Sequence, residues 1–92
     1  MGALAQLVQL FLNHNQIGDA GLTALASACA SGAMAQLEHL HLSGNQIGDG
    51  GVSALASACA GGALAKCTKI TLNGNPASSE AKKAVMDALK QH

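Results

Sequence analysis

The same alternation of apolar and polar residues occurs twice in the chain, thirty residues apart. Residues 7–17 have the sequence LVQLFLNHNQI and residues 37–47 have LEHLHLSGNQI. The spacing of Leu10 and Leu12 is that of a strand with one face buried. An asparagine follows, and its side-chain amide can satisfy backbone groups where the chain turns. The pattern therefore predicts a short β-strand that ends in a turn at Asn15.

A helical pattern follows each predicted strand. In the first copy, one helical face is apolar and comprises Leu22, Leu25, Ala26 and Cys29, so we expect this face to pack on the strand layer. Asp19, Asp49 and Ser79 precede the three predicted helices at equivalent positions, and we predict that they are the N-caps. Gly32 and Gly62 follow the first two helices, as is typical of helix C-termini.

The strand–helix unit recurs along the whole chain. Residues 5–34 agree with residues 35–64 at 20 of 30 positions, and residues 65–92 form a third, more polar copy. A fixed period of this size predicts a solenoid, whose units bury their apolar faces only by stacking. We expect a single domain over residues 1–92, with residues 1–4 as the remnant of a preceding repeat and residues 65–92 as a C-terminal capping repeat.

These residues resemble the leucine-rich repeat family, and in particular its ribonuclease-inhibitor-like subfamily. The resemblance lies in the motif Leu-x-x-Leu-x-Leu-x-x-Asn, followed by Ile-Gly-Asp-x-Gly and a helix rich in Ala and Leu. It implies an α/β leucine-rich repeat solenoid, curved, with parallel strands on the concave face and helices on the convex face. Members of this subfamily mostly bind proteins, which implies a protein partner here.

Composition and charge narrow the range of functions. The chain has five lysines, no arginine and a formal net charge of zero, which argues against a nucleic-acid partner. Its apolar stretches are too short to span a membrane. Three cysteines without a secretory signal argue against disulfides, so we expect a cytoplasmic protein.

The first two copies differ most within the strand motif. Five of their ten differences fall at its five variable positions, so we predict that the concave strand face binds the partner. The candidate binding residues are Gln9, Phe11, His14, Glu38, His39, His41 and Lys69. Two interpretations of Phe11 remain open here, because it could anchor a partner or pack against His41.

A metal site and catalysis are weaker hypotheses. His39 and His41 point the same way and could ligate zinc or nickel with a third ligand such as His14. Solvated histidines are the favoured interpretation, so we expect no metal and no cofactor. No serine has a positioned histidine and acid, and no arginine finger exists. The chain is therefore predicted not to be an enzyme, and the GTPase-regulating activity of a Ran GTPase-activating-protein-like array is a remote alternative.

The N-terminal edge provides the main alternative to partner binding. The first repeat begins without a polar cap, so its apolar edge is expected to associate with a second copy. The predicted self-association residues are Leu4, Leu7, Leu10 and Leu12. Their burial in a homodimer would extend the sheet across the junction, and the chain would then be a self-associating structural fragment.

Overall fold

The computed structural model describes residues 7–90 and shows three strand–helix units in succession. The elements are β1 (Gln9–Phe11), α1 (Asp19–Ala30), β2 (His39–His41), α2 (Asp49–Ala60), β3 (Lys69–Thr71) and α3 (Ser79–Leu89). The strands form one sheet in the order β1-β2-β3, with both pairs parallel. Helix α2 packs between α1 and α3. The predicted α/β solenoid is confirmed.

The thirty-residue period sets the register of the sheet. Gln9 pairs with His39, which pairs in turn with Lys69, so equivalent residues lie side by side in rows. Side chains alternate across the strands as predicted, because Leu40 is fully buried while His39 is partly exposed. The variable positions within the strands, 9 and 11 in the first repeat and their equivalents in the others, therefore share the outer face of the sheet.

The core lies between the sheet and the three helices. Three of the four predicted core residues of α1, namely Leu22, Ala26 and Cys29, are at most 4% exposed. Leu25 is half-buried and packs against the same core. Each helix therefore uses its apolar face as the spacing predicted.

A side-chain amide after β2 and another after β3 connect neighbouring repeats. The Nδ2 group of Asn45 donates hydrogen bonds to the carbonyls of Leu12 and Leu42, both at 2.9 Å. Its Oδ1 atom accepts from the N–H groups of Asn15 and Ile17, at 2.8 and 3.0 Å. Asn45 thus satisfies backbone groups of its own turn and of the preceding repeat, as the sequence predicted.

The helix N-termini differ from the prediction. Asp19, Asp49 and Ser79 are the first residues of their helices rather than the N-caps. The caps of α1 and α2 are the preceding glycines, which carry no side chain to accept a hydrogen bond. In α3 the cap is Ser78, whose Oγ atom accepts from the Ala81 N–H at 3.1 Å. The predicted caps were wrong by one residue.

The two aspartates instead cap the helix of the following repeat. The Oδ1 atom of Asp19 accepts from the N–H groups of Gly48 and Gly51, at 2.6 and 3.1 Å. Asp49 accepts in the same way from Ser78 N–H at 2.6 Å. A carboxylate at a helix N-terminus also interacts favourably with the helix dipole. The prediction failed because it considered neighbours in sequence, whereas stacking brings the next helix to the same carboxylate.

The helix C-termini agree with the prediction. Gly32 and Gly62 have φ angles of +89° and +88°, a left-handed conformation that favours glycine. The N–H of Ala33 reaches the carbonyl of Ala28 at 3.3 Å, which closes the turn after α1. The chain can therefore leave each helix and return to the sheet within a short loop.

We predict that Gly51→Ala destabilises the chain more than Gly21→Ala. An added Cβ would lie 3.2 Å from Ile47 Cγ2 at Gly51 and 3.2 Å from Ile17 Cγ2 at Gly21, so the two sites are matched in that contact. At Gly51 alone it would also lie 2.8 Å from Asp19 Oδ1 and 3.1 Å from Asp19 Cα. Displacing the carboxylate removes a capping interaction of about 0.5–2 kcal/mol.

The higher helix propensity of alanine stabilises both variants by up to about 1 kcal/mol. At Gly51 it offsets part of the capping loss. Urea unfolding followed by circular dichroism should therefore give Gly21→Ala a free energy of unfolding equal to or above that of the parent, with Gly51→Ala below it. Equal values for the two variants would contradict the role of Asp19 as a cap for α2.

Candidate functional site

The outer face of the sheet brings together most of the predicted partner-binding residues. We call this surface the outer strand face and define it by residues 9, 11, 39, 41, 69 and 71. Gln9, His39 and Lys69 form one row across it, and Phe11, His41 and Thr71 form the next. The surface is polar except for the aromatic ring of Phe11.

Phe11 is both packed and exposed. Its ring stacks on His41 with the centroids 4.4 Å apart and the planes within 6° of parallel. The side chain is nevertheless 63% exposed. Both interpretations of Phe11 are therefore compatible with the geometry, since one face of the ring contacts His41 and the rest remains accessible. The stack holds the ring in place, which lowers the entropy that a partner contact would cost.

The two strand histidines lie beside Phe11 on the outer strand face. The rings of His39 and His41 lie edge to face, with centroids 6.2 Å apart. The Nε2 atom of His41 is buried and makes no hydrogen bond within residues 7–90. A buried ring nitrogen without a partner costs free energy.

His14 lies beside this face in a left-handed conformation, with φ of +59°. Glycine occupies the equivalent positions, as Gly44 and Gly74, with φ of +72° and +76°. The His14 ring lies over Gly44, where a Cβ atom would overlap Nδ1 and Cε1 of the imidazole. The first turn thus places an exposed histidine against the turn of the second repeat.

Glu38 lies immediately before β2 with an exposed side chain. Its backbone joins all three repeats, because its N–H donates to the Val8 carbonyl at 2.7 Å and its carbonyl accepts from Thr68 N–H at 2.9 Å. Val8 is the equivalent residue in the first repeat and is 43% exposed, but it was not among the predicted site residues. The sequence signal that could have identified Val8 was an apolar residue at a position that is polar, as Glu38 and Thr68, in the other copies.

The predicted self-association residues lie at the other edge of β1. Leu4 is outside the described residues, whereas the other three leucines, Leu7, Leu10 and Leu12, are half-buried. Their equivalents in the second repeat, Leu37, Leu40 and Leu42, are fully buried. This leucine surface is therefore partly exposed in the first repeat, whereas the equivalent surface is buried in the second repeat.

The cysteine thiols are poorly suited to chemistry. Cys29, Cys59 and Cys67 are free and buried. Burial, with a further contribution from Cys67, raises the pKa of Cys29 and of Cys59 to about 11. The reactive thiolate form is therefore scarce at neutral pH.

No third ligand joins the two strand histidines. Within residues 7–90, no group of three His, Cys, Asp or Glu side chains is placed to hold a metal ion. A zinc site needs at least three protein ligands in a tetrahedral arrangement.

Comparison with known proteins identifies the repeats. Residues 7–26 and 33–56 match a family model described as Leucine Rich repeat. No curated protein matches the chain significantly. The three strand–helix units with their parallel sheet form a solenoid of the leucine-rich repeat type, and these matches support a leucine-rich repeat protein. Such repeats generally mediate protein–protein interactions and are typically non-enzymatic binding modules.

Between residues 7 and 90, no helix has the length and apolar character needed to cross a membrane.

We predict that the contact between His14 and Gly44 couples the two turns energetically. Gly44→Ala should destabilise the chain by more than Gly62→Ala, because both glycines have a positive φ but a Cβ at Gly62 meets nothing within 4 Å. In a His14→Gly background the clash is absent, so the extra cost of Gly44→Ala should fall by about 1 kcal/mol, a typical coupling for side chains in contact.

Urea unfolding of the two single variants and the double variant measures this coupling directly. The Gly62→Ala variant supplies the cost of backbone strain alone. Additive effects of His14→Gly and Gly44→Ala would contradict the placement of the histidine over the second turn.

Proposed function

We propose that the chain is a protein-binding module whose outer strand face contacts the partner, with Phe11 as its anchor. The observation that carries this proposal is a ring that is 63% exposed and yet held by stacking on His41. Exposed aromatic residues surrounded by polar side chains are typical of interaction hot spots. The general role of leucine-rich repeats in protein–protein interaction supports the same function.

The surroundings of Phe11 suggest the kind of contact. His39 and Lys69 can donate hydrogen bonds and Gln9 can both donate and accept, so a polar rim surrounds the ring. The chain contains no Arg, Trp or Tyr, which are the residues most enriched in hot spots. Binding would therefore depend largely on one aromatic contact, and the affinity of these repeats alone should be modest. Glu38 and His14 would contact the periphery of the partner.

The double variant Phe11→Ala/His41→Ala is expected to bind the partner at least about tenfold more weakly, since truncating a hot spot costs 2 kcal/mol or more. Partners would be captured by cross-linking in lysates of cells that express the chain and identified by mass spectrometry. Each purified candidate would then be titrated by calorimetry.

Lys66→Ala serves as the control, because Lys66 is exposed and bonds only to Gln36 among the described residues, at 2.7 Å. Circular dichroism would establish that all variants fold. An affinity that the double variant leaves unchanged would exclude the outer strand face as the binding site.

A second candidate function is self-association through the first repeat. The observation in its favour is the partial exposure of Leu7, Leu10 and Leu12, whose counterparts in the second repeat are fully buried. Pairing of two such edges would bury this leucine surface and satisfy the unpaired backbone edge of β1. The GTPase-regulating alternative has no comparable observation in its favour.

Light scattering across a wide concentration range tests self-association. We expect the mean mass to rise with concentration in the parent chain and Leu7→Glu to restore the monomer, because a carboxylate cannot be buried at that edge without a large cost. Lys66→Gln is the control, since it makes the net charge more negative by the same one unit away from β1. A mass that is independent of concentration would exclude this function.

A further inference from the structure

The third repeat contains a groove that shares only Lys69 and Thr71 with the outer strand face. It has a volume of ≈ 480 Å³ and lies between β3 and α3, on the side facing away from the second repeat. Ile70 and Leu72 line it from the strand side, and the half-buried Met86 lines it from the helix side. The groove therefore has an apolar portion of the kind that accepts a partner's side chain.

The charges around the groove are nearly all positive. Lys69, Lys82, Lys83 and Lys90 line it, together with one carboxylate, Asp87. These are four of the five lysines in a chain whose formal net charge is zero. The lysines come from both β3 and α3, and from both ends of the helix. The local excess of positive charge favours an anionic occupant.

The helix surface at this groove is unsuited to packing against another helix. In α2, the positions equivalent to Met86 and Lys90 are Ala56 and Ala60, and these small residues line the space between α2 and α3. Long side chains replace them on α3 and keep a neighbouring helix at a distance. A further strand–helix repeat is therefore a poor occupant, whereas a strand alone needs no close approach of helices.

The backbone of the third repeat has free pairing groups along the groove. In the second repeat, the N–H groups of Leu42 and Gly44 donate to Thr71 and Asn73, at 2.9 and 2.8 Å, and a carbonyl at position 38 accepts from the next strand. The equivalent groups in the third repeat are the N–H groups of residues 72 and 74 and the carbonyl of residue 68. None of them has a hydrogen-bond partner within residues 7–90. An edge with such groups can pair with an added strand.

From the lysines and the free edge together, we propose that this groove binds an extended acidic segment of a partner protein, which adds as a fourth strand beside β3. Its main chain pairs with the edge of the sheet. Its Asp and Glu side chains lie near Lys82 and Lys90, and an apolar residue between them packs on Met86. Exposed Lys–carboxylate pairs contribute little free energy each and weaken with salt. The main-chain pairing therefore orients the segment, and the lysines select its charge.

A second copy of the chain fits the groove less well. The chain has five acidic residues, and two of them, Asp19 and Asp49, accept hydrogen bonds at the helix N-termini of the next repeat. The exposed edge of β1 carries leucines instead of carboxylates. Charge complementarity therefore favours a different protein over a second copy.

Fluorescence anisotropy with a synthetic probe tests the proposal. The probe is a fluorescein-labelled peptide in which Asp and Glu alternate with Val and Leu. One comparison peptide has Asn and Gln in place of the acids, and another has alternate backbone nitrogens methylated to block strand pairing. We expect saturable binding of the acidic probe, which weakens as salt is raised, and at least about tenfold weaker binding of either comparison peptide, a difference of about 1.4 kcal/mol.

The matched variants are Lys82→Glu and Lys66→Glu, which change the net charge equally inside and outside the groove. Lys82→Glu should weaken binding of the probe at least about tenfold, and Lys66→Glu less than about twofold. Lys83→Glu replaces Lys82→Glu if circular dichroism shows that the latter is unfolded. Phe11→Ala should leave binding unchanged, so failure of this proposal is distinguishable from failure of the outer strand face.

Four results would overturn the proposal. These are absence of saturable binding, equal loss with Lys66→Glu, equal binding of the methylated peptide, and equal competition by a single-stranded oligonucleotide of the same charge. The last two would indicate a general anion site without strand addition. A concentration-dependent mass that Lys82→Glu abolishes would show that a second copy occupies the groove instead.

Discussion

The structure depends on one interaction, the burial of a side-chain amide between the turns of successive repeats. Asn45 and Asn75 are 5% and 8% exposed, and each donates to carbonyls of two repeats. A buried backbone carbonyl without a partner would cost about 1–3 kcal/mol. The amide removes this cost on both sides of the junction, and by doing so it aligns the strands in the register that forms the rows of the outer face.

That register explains why the variable residues of the outer strand face are kept apart from the core residues. Residues that alternate with the core leucines are free to vary because they lie outside the core, so β1 and β2 present different chemistry on one scaffold. The stack of Phe11 on His41 is a contact between repeats that forms only because the strands are in register. The groove of the third repeat shares Lys69 and Thr71 with this face, but it depends mainly on the side chains of α3 and the free edge of β3.

The repeat period and the two spacings within it predicted the strands, the helices and the order of the sheet. They were sufficient because each is a local property that every copy repeats. The caps could not be predicted in this way, because the helix that Asp19 caps lies a full repeat further along the chain. The exposure of Phe11 depended on the orientation of His41. The groove joins Lys69 to lysines of α3 that follow it after an intervening turn, and no pattern in the sequence indicates that these side chains surround one cavity.

The hydrogen bonds between repeats run in both directions along the solenoid. Asp19 reaches forward to the helix of the second repeat, and Asn45 reaches back to the turn of the first. Neither repeat can unfold alone without leaving polar groups of its neighbour unpaired. The free energy that holds the chain together therefore resides largely at the junctions between adjacent repeats. Opening should accordingly start at an end of the array, where a repeat has one junction to lose, and spread inwards in steps of one repeat.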